Sequence, residues 1–227
     1  MKQKLLIFIS LVLSVCFCFS AMLVKNADNQ ASVSNYKSQY TVVIDAGHGG
    51  KDAGTVGIDG TEEKKINLEI ATALYDYLMV CGINSVLIRN GDYEIYKEGE
   101  ERNRSDLYNR LDFVNSVDNA VLVSVHQNHF EDESEWGTQI WYSANDSVSE
   151  LLANSILSNV KAQLQPENKR ENKPSDNSYY LLYKASVPSI MIECGFMSNS
   201  RENALLQDNE YQSDMAFLIS SGICNIV

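Results

Sequence analysis

The amino-acid sequence predicts an α/β fold: one domain on a twisted, mostly parallel sheet, with helices on both faces. Three observations predict it. Short β-branched runs alternate with stretches of helical periodicity. One run, residues 120–126, is apolar at nearly every position, as expected of a strand covered on both faces. Polar and Gly-rich residues follow directly on strand ends, where open α/β sheets build their sites.

The elements follow in chain order. Lys2 and Lys4 precede an apolar run over 5–24, the pattern of an export segment. A cleaved signal peptide and a retained membrane anchor both fit it, since about 20 apolar residues can span a bilayer. Residues 25–39 are polar and read as a tether, so the folded domain is expected over 40–227. Residues 40–45 form a first strand, ended by the Ala-Gly-His-Gly-Gly loop. Thr61 is placed to cap a helix, with Glu62 and Glu63 at its positive end. Ile66, Ile70, Leu74, Tyr77 and Cys81 then give one apolar stripe, and Gly82 stops it. A second strand is expected over 84–89, and a helix marked by Leu107, Leu111 and Val114. Strands over 120–126 and 137–142 lead to a helix over 149–164. Residues 165–178, rich in Asn, Lys and Glu, read as a long loop. A last strand runs over 187–193, with Pro188 at its start, where a missing N–H does least harm. Helices over about 202–207 and 210–223 close the chain.

The chain has 227 residues, with 18 Lys and Arg against 30 Asp and Glu, a net charge of −12. At 44% hydrophobic it can bury a core, which excludes a disordered tail. Its acidity excludes nucleic acid as a partner, because phosphate binding rests on Lys and Arg. Removing the export segment sheds two lysines and no acid, so electrostatics alone would not hold the domain on an anionic wall. The anchor or a partner protein is then expected to localise it. Cys81, Cys194 and Cys224 lack metal or redox spacing and are expected to pack as small hydrophobes.

The chemistry gathers at the predicted strand ends. Asp45 and His48 follow the first strand, His126 ends the third, and Glu193 ends the last. Glu63 opens the helix after the glycine loop. Two imidazoles and one carboxylate are a common catalytic zinc set, which would leave Glu193 free as a base. Each His could equally be a plain structural hydrogen-bonder. Two of only three histidines at strand ends beside a glycine loop favour the site.

Four motifs then carry a resemblance. VVIDAGHGGKDAG (42–54), EKKINL (63–68), SVHQN (124–128) and IECGFMSN (192–199) together resemble, in order and separation, the zinc-dependent N-acetylmuramoyl-L-alanine amidases of the type 3 family. The match spans about 41–223. The resemblance implies that His48, Glu63 and His126 bind Zn2+ and that Glu193 is the catalytic glutamate. Ala46 stands where that family commonly has Pro, and Gln127 replaces a small residue, which is expected to alter the cleft wall. Glu63 is preferred over Glu62 because it directly precedes the helix motif. His129, three residues past His126, is read as a rim residue rather than a ligand. Arg170 and Lys173 match basic positions of the family; they either contact a peptide carboxylate or form a solvated charge run. Asn128 is a further substrate candidate. Arg89, Arg110 and Asn115 also match family positions and are expected to be structural. Trp136, Trp141, Tyr179 and Tyr180 either stack on sugars or are buried in packing.

The resemblance also implies the substrate: the amide between the lactyl group of N-acetylmuramic acid and L-alanine, on a glycan strand with its stem peptide. The short form with an export segment, and the stretches WGTQIW (136–141) and QPENKR (165–170), look closer to the sporulation subgroup. That subgroup acts in muramic δ-lactam formation in spore cortex. The expected place of action is outside the cytoplasm, secreted or anchored to the outer membrane face, including the forespore intermembrane space. A lytic amidase in cell separation, a zinc peptidoglycan carboxypeptidase and a non-catalytic binding module are the alternatives. An activating or accessory protein is left open.

Overall fold

The computed structural model describes residues 40–96 and 102–227. The expected export segment and tether lie outside the described residues. Six strands form one sheet in the order β2-β1-β3-β6-β4-β5. They are β1 (Thr41–Ala46), β2 (Ser85–Leu87), β3 (Ala120–Asn128), β4 (Gln139–Tyr142), β5 (Lys173–Pro174) and β6 (Ser189–Phe196). The pairs β2–β1, β1–β3 and β3–β6 are parallel, and β4 runs antiparallel to β6. The helices are α1 (Glu63–Val80), α2 (Arg102–Ser116), α3 (Ser147–Gln163), α4 (Tyr180–Lys184), α5 (Ser200–Leu205) and α6 (Asn209–Cys224). Among the described residues no helix is long and apolar enough to cross a membrane.

Strand alternation sorts the side chains between two unequal layers. On one face Val42, Ile44, Val121, Val123, Val125, Ile140, Ile190 and Ile192 join one core with α1, α3 and α6. Their helical partners repeat at 3.6-type spacing, for example Ile66, Ile70 and Leu74 on α1, all at most 1% exposed. On the other face Val43, Leu122 and Ala120 meet only a smaller cluster with Val114 of α2 and Leu181 of α4. This second face is left thinly covered toward the carboxyl ends of the strands.

Helix ends follow elementary capping chemistry. Asp146, Asn199 and Asp208 accept backbone N–H bonds at the starts of α3, α5 and α6. Gly82 ends α1 at φ 75°, and its N–H bonds to the Met79 carbonyl.

Three expectations change. Thr61 does not cap α1: its hydroxyl bonds Gln207 instead, and Glu62 occupies the cap position without a side-chain bond. Cys81 is exposed at the end of α1, whereas the buried Cys194 and the half-buried Cys224, which packs against the main core, behave as expected. The stretch 165–178 contains β5 and is pinned by Gln165 and Asn168, which bond both backbone groups of Thr138. Net charge and polarity disguised that strand, which carries no apolar alternation at all.

Candidate active site

The thinly covered face carries the polar groups. Register places Asp45 beside Ser124, Ser124 beside Met191, and His126 beside Glu193. Across β4 the same face continues with Gln139 opposite Glu193, Trp141 opposite Met191, and Lys173 opposite Trp141. Residues paired directly across a ladder share a face, so this row follows from strand parity alone.

His48, Glu63 and His126 converge. One donor atom from each lies within 4.8 Å of the others, the only such group of three among the described residues. His48 Nε2 is 3.2 Å from Glu63 Oε2, and His126 Nδ1 is 3.0 Å from Glu63 Oε1. The rings meet edge to face at 4.9 Å. The other ring nitrogen of His48, Nδ1, bonds Asp52 at 2.7 Å, which fixes the ring orientation. Glu63 is held in turn by the N–H groups of Thr55 and Gln127 and by Asn67.

Two glycines make the convergence possible. A Cβ on Gly47 would lie 2.2 Å from the His126 ring. A Cβ on Gly54, which sits at φ 68°, would lie 2.5 Å from Glu63 Oε2. His48 itself adopts φ 63°, an uncommon conformation for a residue with a side chain. Arg110 clamps it there. Its guanidinium donates to the His48 and Ala46 carbonyls and pairs with Asp45 at 2.5 Å and Asp106 at 2.7 Å. Arg89, fully buried, donates to the carbonyls of Ala46, Gly47, Lys64 and Gly91. Both arginines therefore build the loop on which His48 stands. Asn115 is likewise structural, accepting from the backbone and hydroxyl of Ser186.

Burial and charge tune these groups against one another. Burial raises the Glu63 pKa, but bonds and charge from the two imidazoles outweigh it and hold the carboxyl below the usual range. Burial lowers His48, but Glu63 and Asp52 overcome it and push the imidazole up to about 9. Burial alone dominates at Glu193, which is pushed up to about 7 and whose Oε2 has no hydrogen-bond partner among the described residues. A buried carboxyl with one orphaned oxygen, next to a His/Glu/His cluster, is poised to exchange a proton near neutrality.

The donor set suits a divalent metal with nitrogen and oxygen ligands. A cavity of about 360 Å³ opens over it, lined by His48, His126, Asp52, Leu107, Met191 and Tyr179 among others. Larger cavities of about 610 and 830 Å³ border the segment 164–170 and contain none of the three donor residues; the smaller one is the chemically relevant space.

The other sequence candidates are placed elsewhere. Arg170 spends its donors on the Trp136 carbonyl, Gln139 and Glu135, and stacks over Phe196 at 4.2 Å. Lys173 is exposed on β5, with Nζ 5.4 Å from the Trp141 ring centre. Asn128 accepts from the His129 N–H. None of the three lines the cavity. Glu62 turns to Lys64 and Lys65, and His129 stands outside the three-residue cluster. Gln127 is buried and bonds Asn67, so it supports Glu63 rather than shaping the cleft wall. Trp136 is 38% exposed and its carbonyl serves Arg170; Tyr180 packs edge to face on Tyr108. Sequence reasoning missed Asp52 and Asn67. Asp52 stands four residues beyond His48 in a glycine loop, where no periodicity reveals which side chains meet.

Residues 42–225 match the family described as N-acetylmuramoyl-L-alanine amidase. The germination-specific N-acetylmuramoyl-L-alanine amidase of Bacillus subtilis is 31% identical over 186 residues, covering 80% of this chain and 77% of that protein. The CwlD amidase of Clostridioides difficile, solved in complex with the GerS lipoprotein, superposes with a TM-score of 0.78 at 36% identity. It covers 82% of this chain and 97% of its own. The N-acetylmuramoyl-L-alanine amidase AmiC2 of Nostoc punctiforme superposes with a TM-score of 0.71 at 29% identity, over 83% and 97% of the two chains.

Proposed function

The chain belongs to the N-acetylmuramoyl-L-alanine amidase family and so cuts peptidoglycan, and from that premise we propose a zinc-dependent hydrolysis in which Glu193 moves the proton. The observation that carries this reading is the β3–β6 register. It sets Glu193 directly beside His126, the residue that meets His48 and Glu63 within 4.8 Å.

His48, Glu63 and His126 would hold the ion. When bound, zinc supplies a Lewis acid that lowers the pKa of water and polarises the amide carbonyl. Glu193 takes the proton of the attacking water and passes it to the alanine nitrogen as the amide bond breaks. Its burial serves both halves of that transfer, since a carboxyl with a pKa near neutrality accepts and returns a proton readily. Asp52 keeps the His48 ring turned toward Glu63, and Arg110 keeps the backbone beneath it in place.

The finer role we propose is in spore cortex, removing the stem peptide on the way to muramic δ-lactam. The similarity to a germination-specific amidase supports it. An accessory lipoprotein partner is proposed from the similarity to a relative solved with one. Residues 1–24 would serve as signal or anchor, 25–39 as tether and 40–227 as the catalytic domain. The enzyme would then work on the outer side of the membrane, where peptidoglycan lies.

One experiment tests the chemistry: incubate purified peptidoglycan with zinc-loaded protein and identify what is released. A free stem peptide with L-alanine at its new amino terminus is expected. Release of D-alanine would instead mean a carboxypeptidase, and no fragment would mean a binding module. For the cortex role, unchanged muramic δ-lactam in spores lacking the gene would reject it.

A further inference from the structure

One aromatic side chain in the cleft has no place in the chemistry so far. Tyr179 lines the same cavity as His48 and His126 and stands at the start of α4. Its ring packs on Trp141 at 4.6 Å with a tilt of 30°. Trp141 is in turn on β4, paired with Met191, another cavity-lining residue two positions from Glu193 on the same face. Lys173 flanks the tryptophan ring at 5.4 Å. With Tyr179 and Lys173 both against it, Trp141 is a support and not a free stacking surface.

The Tyr179 hydroxyl has no hydrogen-bond partner among the described residues, although the ring is half-buried. Burial, then the charges of Glu193 and Asp176, push its pKa up to about 12, so the phenol keeps its proton at neutral pH. A phenol that is half-buried, protonated and unpaired normally finds an acceptor. Here the space in front of it is the cleft. The acceptor that amide hydrolysis brings there is the substrate carbonyl oxygen, which gains negative charge as water adds.

We propose that Tyr179 is a catalytic residue whose hydroxyl donates a hydrogen bond to the carbonyl oxygen of the scissile amide, with Trp141 as the positioning residue that sets its ring. The inference rests on the reading of the cleft given under Proposed function. No bond to Tyr179 forms or breaks; the phenol keeps its proton throughout.

The test uses the zinc-loaded protein and a soluble muropeptide carrying the N-acetylmuramoyl-L-alanine linkage. Tyr179→Phe keeps the stack and removes only the hydroxyl. It is expected to lower kcat by about 10- to 100-fold with KM changed less than about threefold. Zinc content and melting temperature should equal those of the unaltered protein. Unchanged kcat, or a raised KM at full kcat, would overturn the assignment. Trp141→Leu is expected to lower kcat as well, while Trp141→Leu combined with Tyr179→Phe should be no slower than Tyr179→Phe alone. Full additivity of the two losses would reject the positioning role. The two readings fail separately. An unaltered protein that releases no stem peptide sinks the cleft reading, whereas an active one with an equally active Phe variant sinks only Tyr179.

Discussion

Glu193 shows how one residue acquires its chemistry from its neighbours. An ordinary glutamate at neutral pH is a weak base; Glu193 lies within β6, three residues before its end rather than at the end as expected, and burial there raises it to about 7. Glu193→Gln keeps the shape and removes the proton carrier. Peptide release should fall at least about 100-fold, given what general base catalysis contributes. Zinc content, measured by metal analysis, should stay at that of the unaltered protein, and appreciable hydrolysis by the variant would reject the role. His126→Ala makes the complementary case. It deletes one of three donors, so zinc should be lost on dialysis along with activity; retained stoichiometric zinc would disprove the ligand set. Both side chains were legible as motif residues. Asp52 and Asn67 were not legible as site residues, and Tyr179 was legible only as an aromatic that either stacks on sugar or packs, because their roles depend on which loop and which helix end face the cleft.

Helices and strands divide the labour. The layer of α1, α3 and α6 carries most of the apolar burial, at roughly 1.5–3 kcal/mol for each fully buried Leu or Ile. That frees the opposite face to carry polar groups. The α3–α6 contact is close because Gly222 has no side chain. A Cβ there would lie 2.6 to 2.9 Å from atoms of Ile156, two of them backbone. Gly222→Val should therefore lower unfolding stability by about 1–3 kcal/mol through overpacking, while zinc content is unchanged. Denaturant titration reads the first and metal analysis the second; an equally stable variant would mean the helices separate freely. At this scale the periodicity of α1, α3 and α6 was plain in the sequence. The edge strand β5 and the five-residue α4 were not, since two or five residues carry too little pattern to announce themselves.

For the whole molecule, the site couples stability to pH. A raised His48 pKa contributes stability to the metal-free fold that is complete below 6.5 and lost as pH climbs through about 9. Glu193 acts in the same direction, since its contribution is complete below 4.5 and lost as pH climbs through about 7. Asp45 acts oppositely. Burial raises its pKa, but Arg110, His126 and Ser124 bring the net below 3.8, so its contribution is present above 3.8 and lost as pH falls further. The metal-free protein should thus melt at progressively lower temperature from pH 6.5 to 9. Metal binding requires neutral imidazole, so stabilisation by added zinc should grow over that same interval. Melting scans with and without zinc check both slopes; a zinc effect that shrinks toward pH 9 would contradict the proton displacement at His48. The α/β class, the strands that carry His126 and Glu193, and the family are all readable along the chain. Those follow from local periodicity and from motifs contiguous in the chain. Three-dimensional packing alone sets Glu193 beside His126, clamps the His48 loop with Arg110, and brings Tyr179 but not Arg170 to the cleft. Each of these depends on strand order and on which sheet face is left thinly covered. Both are set by the packing of residues far apart in sequence, and local pattern carries no record of that.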